Sequence, residues 1–149
     1  MTTVHTVISG GQDGADVAGL AAGLLLGLNT GGYIPKGRRT DSGQMAYADF
    51  VKYRLKEHES ASYPPRTRSN VIWADATVLF GNMHSPGCSL TLRLCKQYSK
   101  PALTNPTAEQ LRCWIEHEGV NILNVAGNRE RTNPGIYQLT YDTLIEALR

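Results

Sequence analysis

Apolar residues in this chain come in short blocks, set apart by turns bearing glycine, proline and asparagine, and the blocks alternate between two spacings. Val4–Ser9 is a β-branched run and predicts a strand. Asp13–Leu28 carries apolar residues at helical spacing and predicts a helix. Its glycines at 19, 23 and 27 cost helix propensity, which points to close backbone packing. Thr30–Ile34 reads as a second strand ended by Pro35, and Lys36–Thr40 as a basic turn. Gln44–Glu59 has helical composition, stopped by Tyr63-Pro64-Pro65. A short helix over Arg66–Ala74, beginning near the prolines, then leads into Asp75–Gly81. That run is almost continuously apolar, as in a strand covered on both faces. After a loop at His84–Cys88 the pattern gives a helix over Ser89–Ser99, with Leu90, Leu94 and Tyr98 on one face. A strand at Ala102–Thr104, a helix over Thr107–Glu118, a strand at Val120–Val125 and a closing helix over Gly135–Leu148 follow. Alternating strands and helices predict an α/β fold: one Rossmann-like domain over residues 1–149, an open, mostly parallel sheet with helices on both faces.

In such a sheet ligands sit beyond the carboxyl ends of the strands, so the residues that follow each strand carry the functional information. The first strand runs into Ser9-Gly10-Gly11-Gln12-Asp13-Gly14, a glycine turn opening a helix. Glycine lets the backbone approach a ligand, and the first-turn amides and helix dipole favour an anion. After the second strand comes Pro35-Lys36-Gly37-Arg38-Arg39. After the third comes Gly81-Asn82, leading to Ser85-Pro86-Gly87-Cys88-Ser89-Leu90-Thr91, and after the last comes Ala126-Gly127-Asn128-Arg129-Glu130-Arg131. Glycine, hydroxyl, amide and cationic residues on one rim predict a site for an oxygen-rich anion, with guanidinium forks suited to phosphate. Gly11 is expected to present its backbone to the ligand.

Composition narrows the partners. A length of 149 residues, 41% hydrophobic and 19% charged, describes one soluble globular domain. A net charge of +2 is too mild to call for nucleic acid. Val4–Ile8 is too short and lacks the basic flank of a signal peptide, and Val17–Leu28 is shorter than a membrane span, so no membrane association is expected. Cys88, Cys95 and Cys113 are an odd number without a CxxC pair, and His5, His58, His84 and His117 are scattered. Reduced thiols in the cytoplasm and no metal site are the expectation.

Six blocks, in order, resemble one family: Ser9-Gly10-Gly11-Gln12-x-Gly14-x-Asp16; Thr30-Gly31-Gly32-Tyr33-x-Pro35-Lys36-Gly37-Arg38-Arg39; Tyr63-x-x-Arg66-Thr67-x-x-Asn70-Val71; Asp75-Ala76-Thr77-Val78-Leu79; Gly87-x-x-Leu90-Thr91; and Leu123-Asn124-Val125-Ala126-Gly127-Asn128-Arg129-Glu130, which ends in Pro134-Gly135-Ile136-Tyr137. Nearly the whole chain is similar to the circularly permuted YpsA-like proteins of the SLOG superfamily, a family also named as molybdenum carriers and distantly related to the LOG phosphoribohydrolases. The resemblance implies a Rossmann-like fold and a nucleotide-derived or phosphorylated ligand that is sensed, carried or sequestered. With the loops it assigns ligand binding to Gly10, Gly11, Gln12, Asp13, Lys36, Arg38, Arg66, Asn70, Gly87, Ser89, Thr91, Asn128 and Arg129. No cofactor is required; a nucleotide or molybdopterin is the expected ligand. The alternatives are a nucleotide phosphoribohydrolase and a molybdenum-cofactor carrier.

Departures from the family pattern bear on these alternatives. Asp13 stands where threonine is usual, and a carboxylate there repels phosphate unless it turns outward, caps the helix or meets a ligand hydroxyl. Gly87-Cys88-Ser89 replaces Gly-Gly-Thr. The glutamate that LOG enzymes carry after this turn for N-glycosidic cleavage has no counterpart among Leu90, Thr91, Leu92 and Arg93. The acids considered are Asp13, Asp16, Glu57, Asp75 and Glu130, of which Asp13, Asp16 and Glu57 are the catalytic candidates. An apolar first helix with glycine every fourth residue further predicts a homodimer or homotetramer paired through helices.

Overall fold

From the amino end the chain forms β1 (Thr6–Ser9), α1 (Ala15–Leu25), β2 (Asn29–Gly31), β3 (Tyr33–Ile34), β4 (Arg39–Thr40), β5 (Gly43–Gln44), α2 (Tyr47–Lys52) and β6 (Lys56–Glu57). It continues with α3 (Tyr63–Trp73), β7 (Ala76–Phe80), α4 (Pro86–Gln97), β8 (Ala102–Thr104), α5 (Ala108–Glu118), β9 (Ile122–Gly127) and α6 (Ile136–Leu148). This computed structural model describes residues 2–149. Five strands pair in the order β2-β1-β9-β7-β8, all parallel. The last strand therefore lies at the centre, with Thr6 opposite Ile122 on one side and Ala76 opposite Leu123 on the other. Counted from β9 rather than from the amino end, the order is 3-2-1-4-5, that of a dinucleotide-binding sheet. The chain follows a Rossmann path entered one strand late.

Alternation along the strands divides the core. Val7, Val78, Phe80, Leu123 and Val125 face α1, α5 and α6, where Leu111, Ile115, Ile136 and Leu144 are buried. Each such side chain contributes about 1.5–3 kcal/mol of burial. The opposite face is covered by α3 and α4 through Val71, Leu94 and Cys95. A third cluster, Leu20, Ile34, Met45, Tyr53 and Leu55, holds the segment between β3 and α3 against α1. Among the described residues no helix is long and apolar enough to cross a membrane.

Several expected elements change. The strand expected over Thr30–Ile34 divides at Gly32: β2 joins the main sheet, whereas β3 pairs with β6. Gln44–Glu59 is not one helix. Met45 N–H donates to the Arg38 carbonyl and closes the β4–β5 hairpin, and buried Tyr53 and Leu55 stand two residues apart, a strand-like spacing that leaves only α2 helical. Pro64 and Pro65 open α3 instead of stopping what precedes it, because a first-turn residue has no intrahelical acceptor to lose. The glycines of α1 face the protein's own sheet: a Cβ on Gly19 would stand 2.6 Å from Val125 Cβ, and one on Gly23 would stand 3.1 Å from Val7 Cβ. Their spacing serves packing within the chain.

Candidate functional site

β9 is followed by α6 on one face of the sheet and β7 by α4 on the other. Connections that leave in opposite directions open a crevice between the two carboxyl ends. A cavity of about 490 Å³ lies there, in the size range of small-ligand sites. Its walls come from the loop after β1 (Gln12), the start of α1 (Asp16), the start of α3 (Tyr63, Arg66, Thr67), the start of α4 (Ser85, Gly87, Cys88, Thr91) and the end of β9 with its loop (Gly127, Asn128, Arg129). Three helix N-termini, those of α1, α3 and α4, thus meet at one cavity.

Asn128 holds the loops in place. Its Oδ1 accepts from Asn82 N (2.6 Å) and Asn133 Nδ2 (3.0 Å), while its Nδ2 donates to Ser85 Oγ (3.1 Å) and Cys88 Sγ (3.4 Å). Its amide is spent on the protein, so it shapes the crevice wall. On the other side, Gly14 has φ +99° and lies so close to the β9 loop that a Cβ would stand 2.7 Å from Glu130 N. Only glycine permits both the backbone angle and the approach. Glu130 accepts from Gly135 N (2.7 Å) and Tyr137 N (2.9 Å), bonds that hold its carboxyl below the usual range and cap α6.

The charged centre of the crevice is Arg66, 9% exposed. Its guanidinium lies over Gly10, where a Cβ would collide with Nη1. Asp16 Oδ2 is 3.8 Å from Nη1, an ion pair without a hydrogen bond, and Nε has no partner at all. Burial pushes the Arg66 pKa down, with the nearby Asp16 opposing it. Burial likewise pushes the Asp16 carboxyl up, against the pull of Arg66 and the Gln12 N–H. Around Arg66 the field is positive. The guanidinium carbons of Arg39 and Arg129 each lie 4.5 Å from the centroid of the Tyr63 ring, and that of Arg66 lies at 5.4 Å. Asp41, at the tip of the β4–β5 hairpin, accepts from Arg129 Nη1 (3.1 Å) and from Arg131 Nε (2.8 Å) and Nη2 (3.0 Å). Those bonds lower its pKa to about 2.

Gln12, Asp16, Arg66, Gly87, Thr91, Asn128 and Arg129 all line the crevice. The other expected site residues lie elsewhere. Gly10 supports Arg66 from beneath. Gly11, at φ +71°, turns its open side towards Ile34 Cδ1 and Leu55 Cδ1 (3.1 Å each), so it faces the core rather than a ligand. Asp13 turns outward to accept from Ser42 N, which removes the repulsion its position suggested. Arg38 donates to the Met45 carbonyl and lies over Tyr47 and Phe50, while Lys36 is exposed in the preceding turn. Asn70 brackets Tyr33, accepting from its N–H and donating to its carbonyl. Ser89 lies on α4 outside the cavity lining. Glu57 is exposed and accepts from Gly37 N, and Asp75 braces the amino end of β9 through Asn121 N and Ile122 N. Of the acids considered, only Asp16 reaches the crevice. Tyr63, Thr67 and Ser85 were missed as site residues; Tyr63-x-x-Arg66-Thr67 is the signal that held two of them. Among the described residues no group of three His, Cys, Asp or Glu side chains is placed to hold a metal ion.

Residues 7–148 match the model of the circularly permutated YpsA SLOG family. The chain belongs to this family. The permutation is visible in the strand order, with the carboxy-terminal strand at the centre of the SLOG sheet. A crystal structure of a protein from Syntrophus aciditrophicus SB, named "putative molybdenum carrier protein", superposes on this SLOG chain with a TM-score of 0.91 at 32% identity, covering 99% of this chain and 97% of that one. No curated protein matches.

Proposed function

We propose that this SLOG domain binds a phosphorylated small molecule of the nucleotide type in the crevice between β9 and β7, and so senses, carries or sequesters it. One observation carries the reading: the Arg66 guanidinium, 9% exposed and at the meeting point of three helix N-termini, has only the 3.8 Å ion pair with Asp16 and no hydrogen bond to the protein. Leaving a charged donor unsatisfied in the interior costs stability, and an anionic ligand supplies the missing acceptor. Arg129 and Arg39 add positive field, and the first-turn amide of Gly87 adds a neutral donor. Molybdate and a molybdopterin phosphate offer the same oxyanion chemistry, so the cargo suggested by the neighbour's name would use the same donors.

Asp16 favours one second reading. A buried carboxyl with a raised pKa, beside a bound sugar phosphate, is placed to act as an acid on an N-glycosidic bond. Thermal-shift titration with nucleoside monophosphates, inorganic phosphate and molybdate, with release of free base followed in parallel, separates these readings. Stabilisation by nucleotides without base release supports binding alone. Stabilisation by none of the three overturns the proposal. Leu24 and Leu25 are exposed beside Tyr137 and Tyr141, and this apolar face is the one through which we expect two copies to pair. Light scattering of a monomer at tens of micromolar would refute that expectation.

A further inference from the structure

The β4–β5 hairpin is tied to the rest of the chain through side chains, since its two strands pair only with each other. Gln12 Nε2 donates to the Arg39 carbonyl (2.8 Å), Ser42 N to Asp13 Oδ2 (3.1 Å) and Arg39 Nη1 to the Ala61 carbonyl (3.2 Å), while Asp41 is held by Arg129 and Arg131. Side chains alternate along the hairpin. Arg39 and Asp41 reach the crevice rim at Tyr63 and Arg129, whereas Thr40, Ser42 and Gln44 line a separate cavity of about 350 Å³. The hairpin thus spans a hollow, and few bonds hold it there.

Two of those anchors, Gln12 and Arg129, also form the crevice wall. Arg129 Nη1 donates to Asp41 Oδ1 (3.1 Å), and its guanidinium carbon lies 4.5 Å from the Tyr63 centroid. Its Nε and Nη2 donate to no group among the described residues. Arg131 meets both Asp41 oxygens, so the Asp41 charge is compensated while it holds Arg129 by one nitrogen. Asp41 does not line the crevice, so it grips Arg129 from outside and leaves the cavity clear. An anion on the free donors of Arg129 would set that guanidinium between two anions, one in the crevice and one on the hairpin.

We propose that the hairpin is a strap across the crevice rim and that Asp41 couples it to occupancy: a bound anion fixes Arg129, Arg129 fixes Asp41, and Asp41 holds the hairpin tip in place. This rests on the proposed anion binding and adds to it a positioning residue outside the cavity. Coupling is reciprocal, so a strap held more firmly by the ligand also holds the ligand more firmly. Arg131 grips the same carboxylate but lies outside the crevice lining, so it tethers the strap whether or not the site is filled.

Trypsin reads the strap directly. Arg38 and Arg39 lie at its base, and cleavage there in the folded protein follows the fraction of molecules with the hairpin open. The probes are adenosine monophosphate and inorganic phosphate, with binding followed by calorimetry. A bound probe is expected to slow cleavage at these two sites about fivefold or more, the lower end of coupling between linked sites. Asp41→Ala should be cut faster without a probe and should lose the protection at a probe concentration that saturates it, and Asp41→Glu should restore it. Arg131→Ala should also be cut faster yet keep the protection, which a general loosening of the hairpin would not allow. Binding without protection in the unaltered protein, or equal protection in Asp41→Ala, would overturn the coupling and leave anion binding intact. Binding of neither probe, with molybdate also silent, would overturn the proposed function and the coupling with it.

Discussion

Gly87→Ala should strengthen the fold and weaken the site. Gly87 lies in the first turn of α4, between the N-cap Ser85 and Thr91, and its φ is not in the left-handed region. A Cβ built there meets nothing within 4 Å. Nothing in the protein asks for glycine at this position, and a glycine in a helix costs stability relative to alanine. Replacement at a compatible backbone site stabilises by about 0.4–1 kcal/mol, largely by restricting the unfolded chain. For a domain of this size that is roughly 1–4 °C in Tm. The open space beside Gly87 is the crevice, however, so the methyl group occupies the approach to the α4 amides. Losing one hydrogen bond to a charged ligand costs about 1.5–3 kcal/mol, or tenfold and more in affinity. Thermal denaturation and calorimetric titration with a nucleoside monophosphate, run on the same preparations, read the two effects separately. A raised Tm with unchanged affinity would show that the ligand does not approach α4. A lowered Tm would show that the space is not free.

Arg66→Ala should reduce affinity for any phosphate ligand about tenfold or more, as expected for a charge-assisted contact; titrations indistinguishable from the parent's would remove Arg66 from the site. Asn128→Ala strands Asn82 N and Asn133 Nδ2 and should cost about 1–3 kcal/mol, measured by urea denaturation. A loss of affinity without loss of stability would instead make Asn128 a ligand contact. Asp41 has a folded pKa of about 2, below the ordinary carboxyl value of 3.8, so its stabilising contribution is complete above that ordinary value and is lost as pH falls through about 2. Denaturation midpoints of the parent should therefore decline across that acid window more steeply than those of Asp41→Asn, and parallel curves would refute the pairing with Arg129 and Arg131.

The centre of the parallel sheet was legible in the sequence because β1, β7 and β9 are short, mostly apolar runs with a glycine or polar turn at the carboxyl end, as at Ser9-Gly10 and Phe80-Gly81. The rim composition likewise located the crevice, since Gln12, Arg66, Gly87, Thr91 and Arg129 all reach it. What the pattern did not carry was direction. Gly11 and Asp13 flank Gln12 in the chain, yet Gly11, at φ +71°, turns its open side to the core, while Asp13 accepts from Ser42 N in the hairpin. The segment between β3 and α3 was hard to read for a related reason. Its two-residue strands are set by pairing, Tyr33 with the distant Lys56 and Arg39 with Gln44 across a short hairpin, and local propensity says little about such contacts. Arg38 and Lys36 looked like ligand cations by composition, but they lie on this segment, and the packing of Met45 and Phe50 carries them away from the crevice. Tyr63 escaped notice because its role appears only when Arg39, Arg66 and Arg129 gather around one ring from three separate parts of the chain.

The most direct test of the central claim is native mass spectrometry of the protein purified gently from cells. The account predicts an adduct that fragments to a phosphorylated compound of the nucleotide type, is displaced by added nucleoside monophosphate and is absent from Arg66→Ala. A spectrum at the bare chain mass that is unaltered by millimolar nucleoside monophosphate or inorganic phosphate would contradict it.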